Sequence, residues 1–582
     1  MKRTSHNRRV GWWGLVVLLL GTPVEISAQA GEVAPETPPD EQSIYFESVE
    51  VRVVNVDVYV TDKKGRPVTG LTKDDFDLRE NGKPVEITNF FAVEDGKPIQ
   101  GLSAGSGEVS IVGGDQAPDP LREPRRSTSP LLPEDQRLSL LIYFDNLFLK
   151  PFSRNKVIGE VEHFLGRALD PGDRVMIVTF ERSLHVRVPF TDDWDELTDA
   201  LHEIEMMTGY AEQSATERRT IIQRIDQSQS QLDAASFVDD YAKALHHDLL
   251  LSINSLKELV GSLGGLPGRK AVLYVSDGIP MSPGQDLFYL VDNLGSEAIG
   301  NQLGASYYRA RREFRELTAR ANANRVAFYT LEAAGLRSHS SLSAEYGQRD
   351  TSIIEADVMW DANREEPLLQ MADDTGGLAA LNTNNIVGAL DSMQQDFDNY
   401  YSLGIAPVHI VPGRSYDVKV RVKQPGLTVR HRSGYRDKSP ETRVQEGTLA
   451  SLIYGTESNP LAVRLELGNG QPQDKGNYRV SLLVRIPIGN MTLVPTQGLH
   501  RGSVRIVVGV IDEKGRISPL SQTPVPINIP EADLATAVQQ EFVYEVELMM
   551  RDGFQIVAVG VRDEVAGDTS FVRQGIRLGS GT

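Results

Sequence analysis

Hydrophobic and polar positions change period twice along this chain, and the changes divide it. Val54, Val56, Val58 and Val60 alternate with Asn55, Asp57 and Tyr59. Period two with β-branched residues predicts a half-buried strand. Asn81-Gly82, between Leu78 and Val85–Phe91, predicts a hairpin, since both residues tolerate positive φ. Residues 44–95 therefore predict a small β-module. Residues 96–136 are rich in Gly, Ser and Pro and predict a flexible linker.

From Arg137 strand-like runs alternate with helix-like ones. The runs are Leu138–Phe144, Arg154–Leu169, Arg174–Phe180, Trp194–Met207, Phe237–Leu263, Lys270–Ser276, Ala305–Asn324, Arg325–Glu332, Leu368–Thr375, Leu378–Leu381 and Ile386–Tyr400. Such alternation predicts a doubly wound α/β fold with a mostly parallel sheet. Leu184–Phe190 predicts a short edge strand beside the one before it. Two polar segments interrupt the rhythm: Thr208–Asp233, expected as a helical excursion, and Arg337–Asp361, expected as a surface loop. Ser415–Val422 and Leu427–Arg432, joined by Gln424-Pro425-Gly426, predict a hairpin that closes this domain at about residue 437. Residues 445–580 offer short strands, regular turns and no long helix, the pattern of a β-sandwich.

The amino terminus has a different composition. Lys2, Arg3, Arg8 and Arg9 precede the apolar run Trp12–Leu20, followed by the small-x-small triplet Ala28-Gln29-Ala30. That order predicts a secretory signal over 1–30, with a disordered Pro- and Glu-rich leader over 31–43. Its removal would take the formal charge from −20 to about −23. An acidic chain of this size is a poor partner for nucleic acid or anionic lipid. The expected location is secreted or periplasmic, with no transmembrane segment after cleavage. The chain has no cysteine, which excludes disulfides, thiol nucleophiles and thiolate metal sites.

Two apolar runs end in acids: LSLLIYFDN at Asp145 and KAVLYVSDG at Asp277. Ligands of open α/β sheets bind at the carboxyl ends of the strands. Two carboxylates delivered there suggest a cation site with oxygen ligands. Other signals are weak. His246-His247 sits on a predicted helix, where neighbours diverge by about 100°. Ser276 lacks the glycine frame of a nucleophile elbow, and Gly261–Gly268 is not followed by the Lys-Ser/Thr of a phosphate loop.

The region 45–437 resembles the von Willebrand factor type A domain and, more narrowly, the acidobacterial-type VWFA-related proteins. The resemblance rests on Val51–Asp62, Gly70-Leu71, Asp74–Phe76 through Asn81-Gly82, Leu140–Asp145 and Asp170-Pro171-Gly172-Asp173-Arg174. It continues through Phe190–Asp193, Tyr274–Pro280, Thr375-Gly376-Gly377, Tyr400–Gly404 and Pro425-Gly426 to Gly434-Tyr435. The resemblance implies a type A-like domain over 137–437 and a metal-ion-dependent adhesion site. That site takes an Asp-x-Ser-x-Ser motif, a Thr and a second Asp, around Mg²⁺ or Mn²⁺. Carried over, Asp145 and Asp277 take the acidic positions, but Leu147 and Leu149 stand where the serines would be, and Thr208 lies near the threonine position. The site is therefore expected to be degenerate. Three readings stay open: a lost site, a weak one in which Asn146, Ser276 or water replaces the missing oxygens, and a metal-free partner site. The leucines would make its mouth more apolar, suited to protein contact.

The expected function is an exported, non-enzymatic, adhesion-type protein. It would bind a protein partner in the envelope or extracellular space through Asp145, Asn146 and Asp277, with 208–233 and 337–361 as walls. No catalytic residues and no organic cofactor are expected. The alternatives are an envelope scaffold with an idle crevice and a hydrolase using the acidic crevice.

Overall fold

Strand β1 (Leu138–Phe144) is buried at all seven positions. Leu141 and Tyr143 enter one apolar cluster; Leu138, Leu140, Ile142 and Phe144 enter another. A strand with two buried faces has to be covered on both sides, which is why it reads as continuous apolar sequence. In the computed structural model, which describes residues 53–99, 132–209, 211–294, 302–336, 351–407 and 411–579, β1 lies inside a six-stranded sheet. Its other strands are β2 (Arg174–Phe180), β3 (Leu184–Thr191), β4 (Arg269–Ser276), β5 (Val326–Glu332) and β6 (Ala379–Ala380), in the order β6-β5-β4-β1-β2-β3. All neighbours are parallel except the edge strand β3, which pairs antiparallel with β2. This is the expected doubly wound, mostly parallel α/β architecture. The expected signal 1–30, the leader 31–43 and most of the linker lie outside the described residues.

The helices are α1 (Pro151–Ala168), α2 (Trp194–Glu205), α3 (Ala211–Gln227), α4 (Gln231–Ser262), α5 (Gln285–Asp292), α6 (Gln302–Tyr307), α7 (Arg311–Ala323), α8 (Thr351–Thr375) and α9 (Ile386–Asp398). α1, α2 and α9 cover one face of the sheet, and α3 to α8 the other. Local chemistry sets several starts: Pro151 at the head of α1, the Asp193 carboxylate capping α2 and the Ser230 hydroxyl capping α4.

α8 corrects an expectation. Residues 351–361 were expected in a surface loop, and they form the first part of a 25-residue helix that runs through Pro367. Proline has no N–H, so a carbonyl one turn earlier loses its helical donor. Asn363 O instead accepts the Met281 N–H at 2.9 Å. The helix survives its proline because a neighbouring loop supplies the missing bond.

The amino-terminal module does not form a sheet by itself. Val54–Thr61 and Ile87–Glu94 pair on either side of Tyr400–Ile405, and Phe76–Glu80 pairs with Ser415–Val422. These strands share one core containing Val56, Val58, Phe76, Phe90, Leu403 and Val418. The segment expected to close the α/β domain is thus the other half of the amino-terminal β-unit. Asn81 and Gly82 do adopt positive φ, 46° and 80°.

Beyond residue 437 comes an unexpected helix, α10 (Pro440–Tyr454), with Ser439 as N-cap and Gly455 as a left-handed C-cap. Two antiparallel sheets follow and share one apolar core that includes Val480, Leu482, Ile506 and Val559. α10 links them to the central domain at close quarters. A Cβ on Gly265 would lie 2.1 Å from Glu446 O, and one on Gly447 would strike the Phe571 ring. We expect Gly265→Ala, which sets backbone against backbone, to lower stability by about 1–3 kcal/mol, read as a lower urea midpoint with faster hydrogen exchange in α10.

Candidate functional site

Parallel pairing of β1 with β4 sets Phe144 opposite Val275, so both strands deliver their next residues to the same edge of the sheet. The Asp145 N–H donates to Val275 O at 3.1 Å, and the Asp277 N–H donates to Phe148 O at 3.1 Å. The two acids of the sequence reading therefore belong to one rim. They do not line an open crevice. Asp145 and Asn146 are fully buried, and Asp277 is 5% exposed.

One carboxylate oxygen of each acid has been taken up by the protein itself. Asp145 Oδ2 accepts the Tyr274 hydroxyl and, at 3.2 Å, the Ser252 hydroxyl from α4. Its Oδ1 is buried and without a hydrogen-bond partner among the described residues. Burial pushes the carboxyl up to about 6, against the pull of those two hydroxyls and of the Leu147 and Phe148 N–H groups. Tyr274 and Tyr143 stack at 5.3 Å, and both phenols are pushed up by burial and then by the Asp145 charge.

Asp277 Oδ2 accepts the Lys150 N–H at 3.0 Å and the Ser153 hydroxyl at 3.1 Å. It thus supplies an acceptor to the first turn of α1, where free N–H groups and the helix dipole favour a negative charge. Burial raises its pKa, and these bonds oppose the shift. Asn146 donates to Glu181 Oε1 at 2.9 Å and accepts from Arg154 Nη1 at 3.3 Å. The fully buried Arg154 also reaches Glu205 O at 3.3 Å and Met207 O at 2.5 Å. One guanidinium therefore joins the head of α1 to the tail of α2.

Leu147 and Leu149 do not make an apolar mouth. Leu147, 6% exposed, packs into the cluster on the α4 side; Leu149, fully buried, packs with Val157 and Ile158 of α1. Where the resemblance expects two hydroxyl ligands, the chain has core side chains. Thr208 is exposed beyond the end of α2. α8 closes the rim from the other side. Arg364 donates to the carbonyls of Asp277 and Gly278, and lies over the rings of Trp360 and Phe148. Arg218 of α3 also lies over Trp360 while pairing with Asp286 at 2.8 Å and Asp357 at 3.2 Å. Asn363 exchanges two bonds with the Ser282 backbone, at 2.7 and 2.9 Å. Of the expected walls, 211–227 and 231–233 are helical, 337–350 lies outside the described residues, and 351–361 belongs to α8.

The donor set does not fit a hard divalent cation, which needs about six oxygens with lone pairs free. No group of three or more His, Asp or Glu side chains among the described residues is arranged to hold a metal ion. The sequence reading missed Arg154, Ser252 and Arg364. Arg154 carried a signal: it stands three, four and seven residues before the apolar Val157, Ile158 and Val161, on the face of α1 that packs inward.

No known family's sequence profile matches this chain, and no curated protein does. The chain is similar to a von Willebrand factor type A protein from Catenulispora acidiphila at 8% identity, over 76% of this chain and 66% of that one, with a TM-score of 0.21. It is similar to BatB from Bacteroides thetaiotaomicron at 12% identity, over 45% and 96%, with a TM-score of 0.22. It is also similar to the type V pili tip protein Mfa5 from Porphyromonas gingivalis at 9% identity, over 76% and 70%, with a TM-score of 0.23. Identities and scores are low throughout, and the fold is defined here by strand order and register.

The buried acid has a thermodynamic consequence. Asp145 holds its proton more tightly when folded, at about 6, than at the unfolded value of 3.8. Its contribution to stability is complete below pH 3.8, falls as pH rises through 6, and then stays at a penalty of about 3 kcal/mol. Asp145→Asn should flatten that fall and raise the urea midpoint at pH 7. A lower midpoint at pH 7 would contradict the assignment.

Proposed function

We propose that this chain is an exported, non-enzymatic protein-binding protein with a type A-like α/β domain, and that it meets its partner at the rim beside Asp277 without a divalent cation. One observation carries the reading. Phe152, in the first turn of α1, is 84% exposed, and Met206, at the end of α2, is 86% exposed. Single exposed apolar side chains are ordinary. These two stand on backbone segments joined by a buried guanidinium: Arg154 reaches Glu205 O and Met207 O, and Asn155 reaches Glu205 O at 3.1 Å. Pro151 lies within contact of Gly209. The ledge is rigid before any partner arrives, which lowers the entropy cost of association.

In this reading Asp145, Asn146 and Asp277 are positioning residues rather than contact residues. Asp277 anchors the head of α1, Asn146 steadies Arg154, and Asp145 fixes the loop beneath. No helix among the described residues is long and apolar enough to cross a membrane. Export rests on the basic-apolar-small order of residues 1–30. The hydrolase alternative, which needs an acidic crevice open to substrate, gains no support from a rim whose Asp145 is fully buried and whose Asp277 is 5% exposed. The scaffold alternative makes the opposite prediction in the same experiment.

That experiment is capture from an envelope extract of the source organism in the presence of EDTA. The bait is the chain lacking residues 1–30, compared with Phe152→Ser/Met206→Ser and, as control, the exposed Leu232→Ser on α4. We expect the rim double variant to keep its thermal midpoint and lose capture by at least about tenfold, with the control unchanged. Equal capture by the rim variant would favour the scaffold. Capture that requires Mg²⁺ would favour a working metal site.

A further inference from the structure

We propose that the chain holds one small monovalent anion, of the size and charge of chloride, at the joint between the β-unit and the amino-terminal edge of the central sheet. That edge lies opposite the rim. Arg269 and Lys270 open β4, and Arg325 immediately precedes β5. The strand Val54–Thr61 turns Asp57 and Tyr59 toward them, and Arg432 comes from the hairpin of the same β-unit. These six residues line a cavity of about 20 Å³. A cavity needs roughly 10–15 Å³ to admit a water-sized occupant, so this one accepts a single atom or small ion and excludes sulfate or phosphate.

The charges around it do not balance. Four cations line the cavity with one carboxylate. Arg325 takes that carboxylate by two bonds to Asp57, at 2.9 and 2.6 Å. The donors of the other three are directed to neutral oxygens. Arg269 reaches Tyr59 Oη at 3.2 Å and the carbonyls of Phe397 and Asp396 at 3.4 Å. Arg432 reaches Asn322 O at 2.7 Å and Asn55 O at 2.6 Å. Lys270 reaches Leu266 O at 2.8 Å and Gly268 O at 3.3 Å. Asp396 already holds Arg430 by two bonds at 2.6 and 2.9 Å, and Asp173 and Asp398, which also feel the charge of Arg269, do not line the cavity.

Arg269 is 4% exposed, Lys270 6% and Arg432 9%. Burying unpaired cations carries a large desolvation cost. Two N–H groups, Arg269 Nε and Arg432 Nε, are buried without an acceptor among the described residues. A water in the cavity would leave the charge as it is. A monovalent anion answers both deficits at once, and guanidinium groups are well suited to hold it. The field is uneven across the cavity: burial and then Arg325, Lys438 and Arg432 push Lys270 down to about 7, whereas for Arg269 burial is outweighed by Tyr59, Tyr400 and Asp57, which hold it well above its usual value. The anion would act as a pin, holding the β-unit to the sheet through residues from both.

The test uses the full chain. Thermal unfolding is followed in sodium chloride, sodium bromide, sodium gluconate and sodium sulfate at equal ionic strength. We expect a saturable rise of about 2–4 °C in chloride and bromide over gluconate. Crystals grown in bromide should show one anomalous peak among Arg269, Arg325 and Arg432. Arg432→Met should abolish the halide-specific rise; should it not fold, Lys270→Met serves in its place and weakens the rise. Equal midpoints in chloride and gluconate, an equal rise in sulfate, or a cavity without anomalous signal would each overturn the proposal.

Discussion

Strands β1 and β4 run side by side, parallel, with Phe144 opposite Val275 and neither strand open to solvent on either face. Everything at the rim follows from that burial. Parallel strands leave the sheet at the same edge, so Asp145 and Asp277 arrive together. They arrive in a place with little water, where a carboxylate must find protein donors or stay protonated. In a chain with hydroxyls at positions 147 and 149, those hydroxyl oxygens and the carboxylates could together ligate a cation. Here leucines fill both positions and seal into the two cores. The carboxylates turn instead to Tyr274, Ser252, Ser153 and the Lys150 N–H.

The same packing makes the rim rigid. Asp277 fixes the start of α1, Arg154 ties that start to the end of α2, and Pro367 leaves Asn363 O free to hold the loop at Met281. Phe152 and Met206 are thereby displayed on backbone segments tied together by Arg154 and Asn155. The opposite edge of the sheet carries the converse arrangement. There the surplus is positive, held between the β-unit and β4. One edge of a single sheet is thus acidic and sealed; the other is basic and buried against the β-unit.

Much of this was legible in the sequence where a local period carries it. The apolar run 138–144, set in an alternation of strand-like and helix-like segments, read as a buried strand, and the acid at its end as lying at a carboxyl edge. Asn81-Gly82 announced its hairpin through backbone freedom alone. What failed to show has physical reasons. Val58 pairs with Tyr401, more than three hundred residues away, and no local pattern encodes such a partner. Asp57 and Tyr59 alternate with valines as a solvent-facing row would, yet they face Arg325 and Arg269 across the joint. Leu147 and Leu149 follow a strand end, where no period fixes side-chain direction. α10 did carry its caps, Ser439, Pro440 and Gly455, but its mixed composition masked the helical stripe. α8 was hidden by Pro367, whose lost hydrogen bond is replaced from outside the helix.

The central claim is that the rim acids are spoken for by the protein and leave no place for a divalent cation. Calorimetric titration of the full chain with Mn²⁺, up to millimolar concentration, tests it most directly. The account predicts no saturable heat in the natural chain and an identical trace for Asp145→Asn. Saturable one-site heat in the natural chain that disappears in Asp145→Asn would contradict it.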